Sequence, residues 1–371
     1  LLYELFFTAD GPRFDLMGVG LLRYISFRAV AAAVLAFALA LFLGGRTIRW
    51  LRGASIGEDT GKTDSAKLAE LHKGKVGTPT MGGLFLIGAT LISAALFCRF
   101  DGINRFTLPG LVLVAFYAGV GLADDWIKLR VAGRSGLSKR QKQGLLTAAA
   151  VGVALWVVAE GLGGDVGPKF HVPFLTEPLF SMGAFGFAVL AVLVLTGTAN
   201  AVNLTDGLDG LAIGCAITAT IAFAAICYFV GRSDFSEYLM VEHVPGSGEL
   251  TVLLGALLGA SFGFLWFNAP PAQVFMGDVG SLALGGTLGY AALISRTEVI
   301  LLVVGGVFVA EALSVIVQVA SFKTRGVRVF RCAPIHHHFQ FGGTPETRIV
   351  VRAWLISALL ALTSLLLFKI R

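Results

Sequence analysis

What this chain has little of is charge. Asp, Glu, Lys and Arg make up 14% of its 371 residues while 56% are hydrophobic, against about a quarter charged in an average soluble domain. That balance excludes an ordinary water-soluble globule. Cysteine is also scarce: Cys98, Cys215 and Cys227 fall in or at the ends of apolar stretches and Cys332 in a basic loop, so neither a disulfide framework nor a cysteine-held zinc site is expected. No Walker-type phosphate loop is present, and ATP is not implied. The apolar stretches lack the strict alternation of a membrane barrel strand. A formal net charge of +6 could point to nucleic acid, but basic loops beside membrane spans arise from topology and lipid headgroups. No nucleic acid partner is expected.

Long apolar runs are what the chain does have. Runs of about 20 residues, enough to cross roughly 30 Å of hydrocarbon, predict ten spans at 22–44, 80–98, 108–123, 145–162, 180–199, 208–230, 250–267, 279–295, 299–320 and 352–369. In lipid every backbone amide needs an internal partner, so all should be helices. The expected fold class is an all-α polytopic membrane protein, with residues 1–371 forming a single integral membrane domain.

Orientation follows from the basic residues, 19 of 29 of which sit in three connections. These are Arg46, Arg49, Arg52, Lys62, Lys67, Lys73 and Lys75 after the first span, Lys128, Arg130, Arg134, Lys139, Arg140 and Lys142 after the third, and Lys323, Arg325, Arg328, Arg331, Arg348 and Arg352 after the ninth. Those loops are expected to be cytoplasmic and both termini outside.

Acidic residues are costly within a membrane, and here they gather at the inner ends of the spans. Asp124 and Asp125 close the third span. Adjacent helical residues point about 100° apart, so one carboxylate is expected to face a site and the other a neighbour; a solvated helix end is the plainer alternative. Asn200, Asn203, Asp206 and Asp209 recur every three residues, with Gly207 and Gly210 interleaved. A helical break near the glycines would aim them together, and Asp206 could also cap the next helix. Asp278 lies between Gly277 and Val279 in a proline-bearing loop segment ahead of an apolar helix. Hard oxygen donors of this kind suit Mg²⁺, which takes one or two carboxylates plus phosphate oxygens; an N-cap is the alternative.

His336, His337 and His338 lie after the ninth span and diverge in direction, with no cysteine or His-x-x-x-His partner. Phosphate binding or proton handling suits them better than zinc. Glu311, Ser314 and Gln318 share a helical stripe within the ninth span, as helix-to-helix contact or as the wall of a binding groove. Lys73 and Lys75, ahead of the second span, are either phosphate partners or positive-inside anchors.

Six segments together are similar to the phospho-N-acetylmuramoyl-pentapeptide transferase family, also called translocase I, among the polyprenyl-phosphate N-acetylhexosamine-1-phosphate transferases. They are 23–28, Lys75 to Gly83 with Thr78, Asp124-Asp125-Trp126-Ile127-Lys128, Asn203 to Leu211, Phe275 to Ser281, and Pro334 to Phe339. The resemblance covers nearly the whole chain. It implies ten helices, a cytoplasmic cleft, Mg²⁺ on Asp278, and Asp124 and Asp125 serving the lipid phosphate and metal. It places Lys73, Asn200, Asn203, Asp206, Asp209, Phe275, Gln318 and the histidines on the nucleotide sugar, His337 with a catalytic part, and Lys75, Thr78 and Lys128 among the substrate contacts. The implied reaction moves phospho-MurNAc-pentapeptide from UDP-MurNAc-pentapeptide to undecaprenyl phosphate, giving lipid I and UMP, the first membrane step of peptidoglycan synthesis. A bacterial inner membrane, a homodimer and inhibition by nucleoside antibiotics are further implications. Gln340, Val279 and Trp126 depart from the family's usual acid, Thr and Tyr.

The expected mechanism is in-line attack of the lipid phosphate, already ionised near neutrality, on the β-phosphate of the nucleotide sugar. Attack by an aspartate first, through a phospho-enzyme, is the alternative. A UDP-GlcNAc-using transferase is the rival within the class, and a transporter or flippase the rival outside it.

Overall fold

The computed structural model describes residues 1–8, 11–12, 19–53, 75, 77–101, 104–130, 136–160, 169–175 and 177–369. Its main helices are α1 (Ile25–Gly53), α2 (Gly83–Phe97), α3 (Thr107–Arg130), α4 (Lys139–Ala159), α5 (Gly183–Thr205) and α6 (Leu211–Val230). They continue as α7 (Leu250–Asn268), α8 (Gly277–Ile294), α9 (Glu298–Val304), α10 (Gly306–Arg325), α11 (Ile335–Phe341) and α12 (Glu346–Lys369). Among the described residues the strands form only two-stranded pairs of two residues each. Eight described helices are long and apolar enough to cross a membrane. The chain is an all-α, multi-pass membrane protein.

The two other predicted spans correspond to α2, of 15 residues, and α8, of 18. Helix α8 is enclosed by protein: every residue from Val279 to Ile294 is buried, with α3 and α5 as its main neighbours and α2 and α6 beside them. Lipid tails are as apolar as side chains, so helices in a membrane associate by close packing, and small residues let backbones approach. The sequence supplies them. A side chain on Gly83 would overlap the backbone of Gly280, one on Gly121 would overlap the carbonyl of Asp278, and one on Gly285 would lie 2.6 Å from the carbonyl oxygen of Thr198. Helix α8 is thereby set against three neighbours almost backbone to backbone.

The far end of α2 is tied differently. Arg28 at the start of α1 makes a two-point ion pair with Glu249 ahead of α7, both 1% exposed. Arg28 Nη1 also donates to the carbonyl of Phe97 at 3.0 Å, and the amide of Arg99 donates to Glu249 at 2.6 Å.

The expected ninth span, 299–320, is not one helix. It breaks at Gly305 into α9 and α10, where the Gly305-Gly306 pair removes both side chains that would favour continuous winding. Helix α9 packs on α12, and α10 turns to α5, α11 and α12.

Candidate active site

Three helix ends meet at one end of α8. The last turns of α3 bring Asp124 and Asp125, the first turn of α8 brings Asp278, and the end of α5 brings Asn203. One ligand oxygen from each of Asp124, Asp125 and Asp278 lies within 4.8 Å of the others. Both members of the adjacent pair face the cluster, correcting the expectation that one would turn to a neighbour. They reach it from the two sides of α3: Asp124 Oδ1 accepts from the amide of Leu137 at 2.8 Å, and Asp125 Oδ2 from the amide of Val279 at 3.3 Å. Gly277 permits this closeness. Its φ is +72°, and a Cβ there would lie 2.5 Å from Asp125 Oδ2.

Two ammoniums offset three carboxylates. Lys128, one turn on along α3, lies 2.6 Å from Asp124 Oδ2, 3.4 Å from Asp125 Oδ1 and 3.1 Å from Asp278 Oδ2. Lys142 on α4 lies 2.5 Å from the same Asp278 oxygen. Asn203 donates through Nδ2 to Asp278 Oδ1 at 2.7 Å and to Ser281 at 2.8 Å. With every group in its ordinary ionised form the set carries a formal charge of −1, and it presents hard oxygen donors of the kind that Mg²⁺ prefers. Three carboxylates, two from α3 and one from α8, could hold such a cation.

A second knot forms where α5 turns into α6. Asp209 Oδ1 pairs with Lys75 at 2.7 Å and its Oδ2 accepts from the amide of Ala272 at 2.9 Å. Glu346, at the start of α12, pairs with Lys75 at 2.5 Å and accepts from the amide of Asp209 at 2.9 Å. The loop carrying Phe275 is pinned to the segment ahead of α2: Phe275 N donates to Pro79 O at 2.8 Å, and Gly82 N donates to Phe275 O at 2.8 Å. The Thr78 amide donates to Lys75 O at 3.1 Å. Asp206 ends α5, its amide 3.3 Å from Asn203 O.

The histidines go three ways. His336 is buried with Nδ1 3.0 Å from Glu311 Oε2. His337 Nδ1 lies 2.8 Å from Gln340 Oε1, which as an amide oxygen can only accept, so the ring donates. His338 Nδ1 accepts from the amide of Arg331 at 3.2 Å. Gln318 holds backbone, accepting from the amides of Val329 and Phe330 at 3.0 and 2.9 Å and donating to Phe330 O at 3.2 Å.

The structure thus joins Asp124, Asp125, Asp278, Lys128 and Asn203 directly, and ties Lys75 to Asp209. Asn200 stays on α5, donating to Thr196 O at 2.7 Å and to Gln143 at 3.2 Å. Lys73 lies outside the described residues. Sequence reasoning passed over Lys142 and Glu346. Lys142 stood in a basic run that topology already accounted for, and Glu346 was a lone acid at a helix start.

Relatives decide the family. A model of glycosyl transferase family 4 matches residues 107–296, from the first residue of α3 to just past α8, a range that includes all three clustered aspartates. A phospho-N-acetylmuramoyl-pentapeptide-transferase of Desulfovibrio desulfuricans is 46% identical over 351 residues, 94% of this chain and 95% of the relative. One of Granulibacter bethesdensis is 46% identical over 354 residues, 95% of each, and one of Desulfosudis oleivorans is 44% identical over 350 residues, 94% of this chain and 95% of the relative. The chain belongs to this transferase family. Helix α11, Lys75 and Glu346 lie outside the family-4 segment, whereas Asp209, which Lys75 and Glu346 meet, and Ala272, whose amide donates to Asp209, lie within it.

Proposed function

We propose that this transferase moves phospho-MurNAc-pentapeptide from UDP-MurNAc-pentapeptide to undecaprenyl phosphate, giving lipid I and UMP, in a bacterial inner membrane and with Mg²⁺. One observation carries the chemistry: carboxylates from α3 and α8 and ammoniums from α3 and α4 converge within hydrogen-bonding reach at one end of the bundle. The names of the relatives support the substrate pair. Residues 1–371 act as one domain, with this end cytoplasmic, because the basic loops carrying Lys75, Lys128 and Lys142 converge on it. By resemblance, the working unit is a homodimer and nucleoside antibiotics compete at the uridine site.

Asp278, with Asp124 and Asp125 beside it, would hold Mg²⁺, which when bound supplies charge neutralisation to the diphosphate. An oxygen of the lipid phosphate attacks the β-phosphorus of the nucleotide sugar, and the bond to the α-phosphate oxygen breaks, releasing UMP. Positioning and electrostatics supply most of the acceleration in such a transfer. Lys128 and Lys142 swing between aspartate and phosphate oxygens, Asp124 takes any remaining proton from the lipid phosphate, and Asn203 keeps Asp278 oriented. Lys73, Lys75, Thr78, Asn200, Asp206, Asp209, Phe275, Gln318, His336 and His338 bind or frame the nucleotide sugar, and His337 acts at the reacting diphosphate. An apolar cavity of about 350 Å³ between α5, α9 and α10, running up to Ala201, two residues before Asn203, gives a polyprenyl chain a place along the helix that carries Asn203.

Purified protein given both substrates and Mg²⁺ should release UMP. No release would end the transferase reading, and faster release from UDP-GlcNAc would change the substrate.

A further inference from the structure

Glu311 is an acid within an otherwise apolar stretch of α10, and the transfer chemistry does not touch it. It is 4% exposed, and its Oε2 faces two donors of one residue, Nδ1 of His336 at 3.0 Å and the amide of His336 at 3.4 Å. His336 is 1% exposed. Its other ring nitrogen, Nε2, is buried and meets no hydrogen-bond partner among the described residues. That nitrogen abuts Gly207, where a side chain would overlap it. Gly207 belongs to the turn between Asp206 and Asp209, whose own partners are Lys75, Ala272 and Glu346.

A carboxylate on one nitrogen of a buried imidazole sets both the ring's direction and its tautomer, because Nδ1 must then carry the proton. We propose that Glu311 is a positioning residue of the transfer reaction, fixing His336 so that Nε2 stands against the Gly207 turn and meets a polar group of the nucleotide sugar. A buried polar nitrogen without a partner is costly, and a ligand in that turn removes the cost. The broken span explains how Glu311 gets there: the kink at Gly305 frees α10 from the line of α9 and lets it pack on α11. This inference rests on the transferase reading above.

The test is a double-mutant cycle in the UMP-release assay. Loss of an orienting partner typically costs about 10- to 100-fold, so Glu311→Ala should lower kcat/KM for the nucleotide sugar by that factor while leaving KM for the polyprenyl phosphate unchanged. Glu311→Gln, which keeps an acceptor for Nδ1, should recover part of the loss. In the His336→Ala background the Glu311→Ala change should cost under about threefold, because a residue acting through another has nothing left to act on. Gly207→Ala, which crowds Nε2, should resemble His336→Ala. Equal factors in both backgrounds, or His336→Ala without loss, would overturn the proposal. Should the alanine variants not purify folded, the cycle of Glu311→Gln with His336→Asn decides by the same criterion, and failure of those to fold would mark the pair as a structural tie and overturn it too. A wild-type protein without turnover would instead sink the transferase reading itself.

Discussion

Asp278→Asn removes one negative charge from the cluster and keeps the side chain's shape. In the folded protein two changes oppose each other. Lys142 at 2.5 Å and Lys128 at 3.1 Å lose a counter-charge, while Asp124 and Asp125, with oxygens within 4.8 Å, lose a like-charged neighbour. The net effect on stability should be about 1 kcal/mol or less. Nothing opposes the loss at the cation. A divalent ion about 4 Å from one carboxylate gains about 2 kcal/mol in bulk water and about 8 kcal/mol at an effective dielectric of about 20. Asp278 is 13% exposed and Lys128 40%, so the site lies between these limits. The lower limit alone weakens binding about 30-fold, at about 1.4 kcal/mol per factor of ten. Initial rates of UMP release across a Mg²⁺ titration should therefore show the half-saturating concentration raised at least about 30-fold, with the thermal unfolding temperature little changed. A shift under about threefold, or about 0.7 kcal/mol, would refute the assignment of Asp278 as a metal ligand.

Gly121→Ala puts a methyl group into the Asp278 carbonyl and should cost about 1–3 kcal/mol by overpacking; thermal unfolding and turnover should fall together, and an unaffected enzyme would show that α3 and α8 are not so close. Arg28→Ala strands Glu249, 1% exposed, and should cost about 3–5 kcal/mol, whereas Arg28→Met with Glu249→Leu should recover most of it; equal unfolding temperatures for the single and double variants would count against a buried pair. In the loop ahead of α7, burial raises the Glu242 carboxyl, but His171, with Nε2 2.6 Å away, and then Arg296 outweigh it and hold its pKa below the ordinary 4.5. A depressed carboxyl stabilises above its unfolded pKa and loses that contribution as pH falls through the folded one. The difference in unfolding temperature between wild type and Glu242→Gln should shrink on acidification from about pH 6 to about pH 3, and a constant difference would show that the contact is not electrostatic.

Much of the scaffold was legible because apolar length is a local property. Each of the ten expected stretches is helical, and the scarcity of acids made Asp124, Asp125, Asp278 and the Asn200 to Asp209 run conspicuous. What escaped depends on partners far along the chain. Helical phase separates Asp124 from Asp125 by about 100°, yet α8 and the segment before α4 meet them from two sides, so both turn inward. Glycines at 305 and 306 lower hydropathy only slightly and left the break in the ninth stretch unmarked. Gln318 reads as a groove wall on its helical stripe, but its amide reaches across to the backbone of Val329 and Phe330. Lys142 reads as topology until α4 is packed beside α8's first turn.

The glycine contacts and the charged cluster are one device. Like charges brought within 4.8 Å repel, and lysines on flexible stems cannot by themselves hold three carboxylates in register. Backbone contacts can: Gly121 against Asp278, Gly83 against Gly280, and Gly277 beneath Asp125 set where each carboxylate starts, before any side chain bonds form. In the proposed mechanism Lys128 and Lys142 then leave for a phosphate without the aspartates drifting apart, since the separation is stored in helix packing. That is preorganisation in the sense that matters for catalysis, with the reorganisation cost met during folding. It follows that Gly83→Ala and Gly121→Ala should lower turnover and unfolding temperature together, whereas Lys142→Ala should lower turnover with the smaller change in unfolding temperature.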